Sequence, residues 1–205
     1  MLLNGKIFAP LLLIFIRFVC GILFVFFSFC ESTISNWLFF SIIFLGLISD
    51  IFDGIIARKY NVSTIGLRRL DSQIDLVFWV CIFLSLLSKN VEIFNAHLSK
   101  FLIIIVLEMS CYVYSLVKFS KETCTHAYSA KFWGLSLFAF ATELLFTKQA
   151  GFWFNCMWFL GLISHFDVLL IITILKNWQN DVPSFWHAMQ IRKGKRIKKF
   201  LWFNS

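Results

Sequence analysis

Long apolar runs decide what this chain can fold into. Stretches near residues 8–29, 36–57, 70–88, 100–119, 129–147 and 152–175 each approach the length a helix needs to cross a bilayer, about 20 mostly apolar residues. The composition agrees. The chain is 60% hydrophobic and 15% charged, with 27 Phe in 205 residues, whereas a soluble domain is about half apolar and about a quarter charged. A core of this size cannot hide that much apolar surface. The sequence predicts an all-α, polytopic membrane protein with six transmembrane helices. Two prolines, no Gly/Ser linker and no internal repeat predict a single domain over 1–205, with a basic tail from about 177. The first run follows Lys6 as a signal sequence would. Arg17 interrupts it, however, and no small-residue cleavage site stands out, so it is read as an uncleaved helix.

The six cysteines form no C-x2-C pair and mostly fall in apolar runs. They are read as small apolar residues, not as a disulfide framework or a zinc site.

Cations set the orientation, because cytoplasmic loops carry an excess of Lys and Arg. Of the 19 basic residues, fifteen fall in the N-terminus, the loops after spans two and four, and the tail. Only Lys89, Lys100 and Lys148 fall in the opposite loops, and Arg17 lies inside a span. Both termini and the loop after span two are therefore expected in the cytoplasm. The tail segment "IRKGKRIKKFLWF" suits anionic lipid headgroups, worth about 1 kcal/mol per basic residue near the surface. That is the simpler partner than nucleic acid for a tail beside a membrane. "NWLFF" at 36–40 has the look of an interfacial anchor.

Against this background the segment "DIFDGIIARKYNVSTIGLRRLDSQID" gathers Asp50, Asp53, Asp71 and Asp75. Residues three or four apart share a helix face. Asp50, Asp53, Gly54 and Ala57 therefore line one side of the cytoplasmic end of span two, and Asp71 and Asp75 one side of the start of span three. The intervening chain is long enough to turn back and let the two acidic faces meet. Two unit charges 4 Å apart cost about 4 kcal/mol at an effective dielectric of 20, so four carboxylates need protons or a multivalent cation. An all-oxygen set favours hard ions such as Mg²⁺, Mn²⁺ or Ca²⁺. Gly54 and Ala57 leave room for a ligand, and Arg58 suits a phosphate. Acids, a hard metal and an arginine beside a bilayer suggest phosphoryl transfer. Solvated loop charges, with Asp71 and Asp75 favouring a helix N-terminus, explain one pair but not both.

These residues resemble the motif of the CDP-alcohol phosphatidyltransferase family, D-x2-D-G-x2-A-R-x8-G-x3-D-x3-D. Asp50, Asp53, Gly54, Ala57, Arg58, Asp71 and Asp75 are all in register. The second glycine is displaced: Leu67 holds its place and Gly66 stands one residue early, so a locally re-formed turn is expected there. The resemblance implies transfer of a phosphatidyl group from a CDP-linked donor, CDP-diacylglycerol above all, to an alcohol, with release of CMP. It implies that Asp50, Asp53, Asp71 and Asp75 hold two Mg²⁺ or Mn²⁺ ions. It also implies that Asp75 is the general base, and that Asp50, Gly54, Ala57, Arg58 and Gly66 lie at the CDP donor. A homodimer and a bacterial-type inner membrane come with it. The chain's size suits members whose acceptors are glycerol 3-phosphate or inositol phosphate, although serine, choline and diacylglycerol also occur in the family.

His126, Tyr128 and Lys131, at the start of span five, fit an anionic acceptor. They fit positive-inside placement with an interfacial aromatic equally well. Glu108, Glu143 and Asp167 lie inside spans, where ionisable groups are costly, and Arg17 is a candidate partner for one of them. His165 and Asp167 point apart on a helix and do not suggest a shared metal. Two other readings of the acids stand beside the enzyme: a cation-binding or transport protein, and an inactive scaffold relative. A transporter would place its acids near the bilayer midplane.

Overall fold

The computed structural model describes residues 2–30, 35–60, 62–123 and 125–195, with side chains from residue 7 onward. Cys124, the side chain of Lys6, and residues 196–205 of the basic tail lie outside the described residues. Among the described residues there are eight helices and no strand: α1 (Leu2–Phe29), α2 (Asn36–Lys59), α3 (Ile65–Lys89), α4 (Val91–Ala96), α5 (Leu98–Phe119), α6 (Tyr128–Thr147), α7 (Phe152–Ile174) and α8 (Phe185–Arg192). Five of them, α1, α2, α3, α5 and α7, are long and apolar enough to cross a membrane. The expected sixth span, α6, has the length, but Lys131 and Glu143 dilute its apolar run.

Many large apolar side chains point outward from the middle of these helices. Phe15, Phe26, Val106, Phe159 and Ile163 are all exposed. A soluble protein rarely exposes so many large apolar side chains, whereas lipid is the solvent that suits them.

The chain forms two compact units. The first comprises Met1–Phe94 with Ala141–Gln149, and the second Asn95–Phe140 with Ala150–Ser205. In the first, α1 packs along both α2 and α3. Phe24 meets Phe39 edge-on with ring centroids 5.0 Å apart. Gly46 of α2 lies under the ring of Phe78 of α3, where a Cβ would collide with the ring. This glycine is required by close helix approach. Asn36 Nδ2 donates to Leu145 O at 2.9 Å, tying the start of α2 to the end of α6.

Side-chain caps define the helix starts around the acidic segment. Ser35 Oγ accepts from Trp37 N, and Thr64 Oγ1 accepts from Leu67 N, each at 3.2 Å, satisfying backbone donors that have no partner in the helix. The cap at Thr64 starts α3 five residues before the expected span. Val62 N donates back to Ala57 O at 2.9 Å, and Thr64 N to Val62 O at 2.8 Å. The reversal is therefore complete before Gly66, which is already helical, and no turn is re-formed there. Leu67 is buried in a cluster with Ile14, Ala57 and Val62.

In the second unit α5 packs on α7 and α7 on α8. The Phe154 ring lies tilted, with its centroid 5.3 Å from those of both Phe101 and Phe140. Lys118 Nζ donates to Ile172 O and Thr173 O at 2.7 and 2.9 Å, satisfying carbonyls at the C-terminal end of α7. The expected basic tail is folded as far as residue 195. Val182 and Ala188 are fully buried with Ile171 and Leu175, and Phe185 N donates to Asp167 Oδ1 at 2.9 Å. Apolar burial and that bond are what draw α8 into the unit.

Candidate active site

The first unit brings the four motif acids together from two helices. Asp50 and Asp53 come from α2, and Asp71 and Asp75 from α3. One carboxylate oxygen from each of Asp50, Asp53 and Asp71 lies within 4.8 Å of the others. Between them, from α1, stands Arg17. Its Nη1 donates to Asp71 Oδ1 at 2.9 Å and lies 3.1 Å from Asp50 Oδ1 and 3.9 Å from Asp75 Oδ1. Its Nη2 donates to Asp53 Oδ2. Arg17 is completely buried.

This corrects the expected partner of Arg17, which the sequence placed among Glu108, Glu143 and Asp167. Those residues have other partners. Glu108 Oε2 lies 2.8 Å from His165 Nε2, and Asp167 accepts from Ser129 Oγ at 2.7 Å and from Phe185 N. Thr147 Oγ1 donates to the backbone oxygen of Glu143 at 2.7 Å. His165 and Asp167 therefore bond to different partners. The clue to Arg17 was a charge balance: four clustered acids need a cation, and Arg17 is the basic residue inside an apolar span.

Exposure divides the acids into two kinds. The side chains of Asp53 and Asp71 are 3% and 8% exposed, and those of Asp50 and Asp75 are each 41% exposed. The buried pair takes the two closest contacts from Arg17, as a buried charge requires. The open pair can be reached from outside the helices. Arg68, also buried, donates from Nε to Ser63 Oγ at 2.9 Å and holds Nη1 3.9 Å from Asp71 Oδ2. Two guanidinium groups therefore address the two oxygens of Asp71.

The other motif positions divide in the same way. Gly54 lies against the Arg58 guanidinium, which a Cβ at Gly54 would approach to 3.2 Å. Ala57 is 2% exposed and packs in the apolar cluster with Ile14 and Leu67. Its small side chain serves the approach of α1, α2 and α3. Gly66 is exposed in the first turn of α3, with nothing within 4 Å of where its Cβ would stand.

His126, Tyr128 and Lys131 belong to the second unit. His126 has a positive φ of 47°. The Tyr128 ring meets His187 edge-on at 6.3 Å, and His187 Nδ1 lies 2.9 Å from Ser184 Oγ. His187 joins this group from α8, a helix the sequence did not predict. The described cysteines are all free: Cys20 and Cys111 are buried, and Cys30, Cys81 and Cys156 are half-buried.

The donor set suits a hard divalent ion. Octahedral coordination at about 2.1 Å places ligand oxygens roughly 3–4 Å apart, and the oxygens of Asp50, Asp53 and Asp71 come within about an ångström of that spacing. Aspartate oxygens are also the ligand type such ions prefer.

The sequence model of the CDP-alcohol phosphatidyltransferase family matches residues 7–179 of the chain. No curated protein and no solved structure matches it.

Proposed function

This chain belongs to the CDP-alcohol phosphatidyltransferase family, and from that premise we propose that it is a metal-dependent membrane enzyme of phospholipid synthesis. It moves a phosphatidyl group from CDP-diacylglycerol to a small alcohol and releases CMP. The observation that carries this reading is the convergence of Asp50, Asp53, Asp71 and Asp75 from two helices onto one point, two of them buried and two open. A solvated loop would not bury its acids against one another.

In this reading Asp50, Asp53, Asp71 and Asp75 hold Mg²⁺ or Mn²⁺, two per site. The ions, when bound, neutralise the donor's phosphates and the charge that develops on the leaving CMP. Asp75 is open enough to face the acceptor, and its carboxylate takes the proton as the acceptor hydroxyl attacks. The new oxygen–phosphorus bond forms at the phosphorus bearing the diacylglycerol, and the bond from that phosphorus to the oxygen bridging to CMP breaks. Asp50, Gly54, Arg58 and the exposed Gly66 face the donor, with Arg58 offering a bidentate partner for phosphate. Ala57 contributes by letting the helices close behind them. His126, Tyr128 and Lys131 are candidates for an anionic acceptor such as a phosphorylated alcohol.

The family domain runs through both compact units and spans the membrane six times, counting α6. It lies in a bacterial-type inner membrane with both termini in the cytoplasm, a placement supported by the basic-residue asymmetry. The test is CMP release by purified protein given CDP-diacylglycerol and a panel of alcohols with Mg²⁺ or Mn²⁺. One acceptor should stand out, and activity should vanish in excess chelator. Full activity under chelation removes the metal from the reading, and no CMP with any alcohol removes the enzyme.

A further inference from the structure

We propose that Arg17 is the resident cation of the four-carboxylate site and exchanges with the divalent ion. Its guanidinium holds Asp53 and Asp71 while no ion is bound, and it yields oxygen lone pairs when one enters. The inference rests on the metal reading above and deepens it.

Three observations carry it. First, Arg17 reaches the same three acids whose oxygens are gathered within 4.8 Å, with Nη1 against Asp50 Oδ1 and Asp71 Oδ1 and Nη2 against Asp53 Oδ2. An ion at about 2.1 Å from oxygens of these carboxylates and a guanidinium donating to the same carboxylates would compete for the same three groups and carry charges of the same sign. They cannot both keep full contact. Second, Arg17 is bound only at its tip. Its Nε–H is buried and has no acceptor among the described residues, so the acids supply the polar partners of the guanidinium. Third, Asp71 keeps a neighbouring cation when Arg17 withdraws, because Arg68 Nη1 stands 3.9 Å from its other oxygen, Oδ2. Arg17 is thus a positioning residue that sets how readily the site takes up metal.

The experiment measures Mn²⁺ binding to the purified full-length protein in detergent, from the electron paramagnetic resonance signal of the free ion. Arg17→Gln, which removes the cation, should bind Mn²⁺ at least tenfold more tightly than the parent, while Arg17→Lys stays near it. A folded Arg17→Gln protein that binds equally or more weakly overturns the exchange and leaves the metal site standing. Failure of parent and variant alike to bind Mn²⁺ overturns the metal reading, and the exchange with it. If Arg17→Gln does not fold, the unaltered chain gives the answer. With ¹⁵N-labelled arginine, the Arg17 Nη resonance, assigned by its loss in Arg17→Lys, should leave its hydrogen-bonded position as Mg²⁺ saturates the site. A resonance that stays in place throughout a saturating titration overturns the exchange.

Discussion

Arg17 on α1 and Asp71 on α3 are joined by a buried hydrogen bond of 2.9 Å across 54 residues of sequence. The bond fixes the middle of the first helix against the acidic face of the third, and the contact of Arg17 with Asp53 does the same for the second. Ionisable groups within spans are costly unless paired, and here the pairing converges on one guanidinium.

Removing that guanidinium should therefore weaken the fold of the metal-free protein. Breaking a buried ion pair by deleting one partner costs about 3–5 kcal/mol. Arg17→Met should unfold at a clearly lower temperature in detergent when divalent ions are chelated, and added Mg²⁺ should recover much of the loss. An unchanged melting temperature in chelator would show that the pairing contributes little.

The open and buried acids should fail differently. Asp75→Asn keeps shape and some oxygen donation but loses the base, which typically costs 10²–10⁴-fold in rate, while donor binding survives. Asp53→Asn should damage metal and donor binding together, because its carboxylate is buried in the cluster. Measuring donor affinity, metal dependence and turnover for both variants in one preparation separates the roles. Near-parent turnover by Asp75→Asn would rule it out as the base.

Leu67 and its neighbour Gly66 test the displaced glycine. Leu67→Ala should destabilise by about 2–5 kcal/mol, as expected for a truncated buried leucine, because Leu67 is 6% exposed against Ile14 and Ala57. Gly66→Ala sits in open space within a helix and should stabilise by about 1 kcal/mol. If Gly66 also admits the donor's backbone approach, the same alanine raises the KM for donor. Thermal unfolding and steady-state kinetics of the two variants read both effects.

Orientation can be read by labelling. Lys59, at the end of α2, is exposed, and Val91, at the start of α4, is 51% exposed. Single cysteines at these positions, in a chain freed of its native cysteines, should react with an impermeant reagent from opposite sides, with position 59 cytoplasmic. Reaction of position 59 from outside would reverse the topology.

The sequence by itself determined the helical class, the five helices long and apolar enough to cross a membrane and the register of the acidic motif. Each is a local property: apolar length fixes a span, and i to i+3 or i+4 spacing fixes which acids share a face. The beginning of α3 was less legible, because the glycine suggested a turn where the Thr64 cap already starts a helix. The sequence read α6 as a sixth span, whereas Lys131 and Glu143 dilute its otherwise apolar run. Only the tertiary structure decided which cation serves the acids. Arg17 is remote from them in sequence, and nothing local distinguishes Asp53 from Glu108 or Asp167 as its partner. Helix packing alone brings α1 between α2 and α3, and a buried charge takes the partners that packing delivers. Packing also decided that Asp53 and Asp71 are enclosed while Asp50 and Asp75 stay open, although the motif treats all four alike.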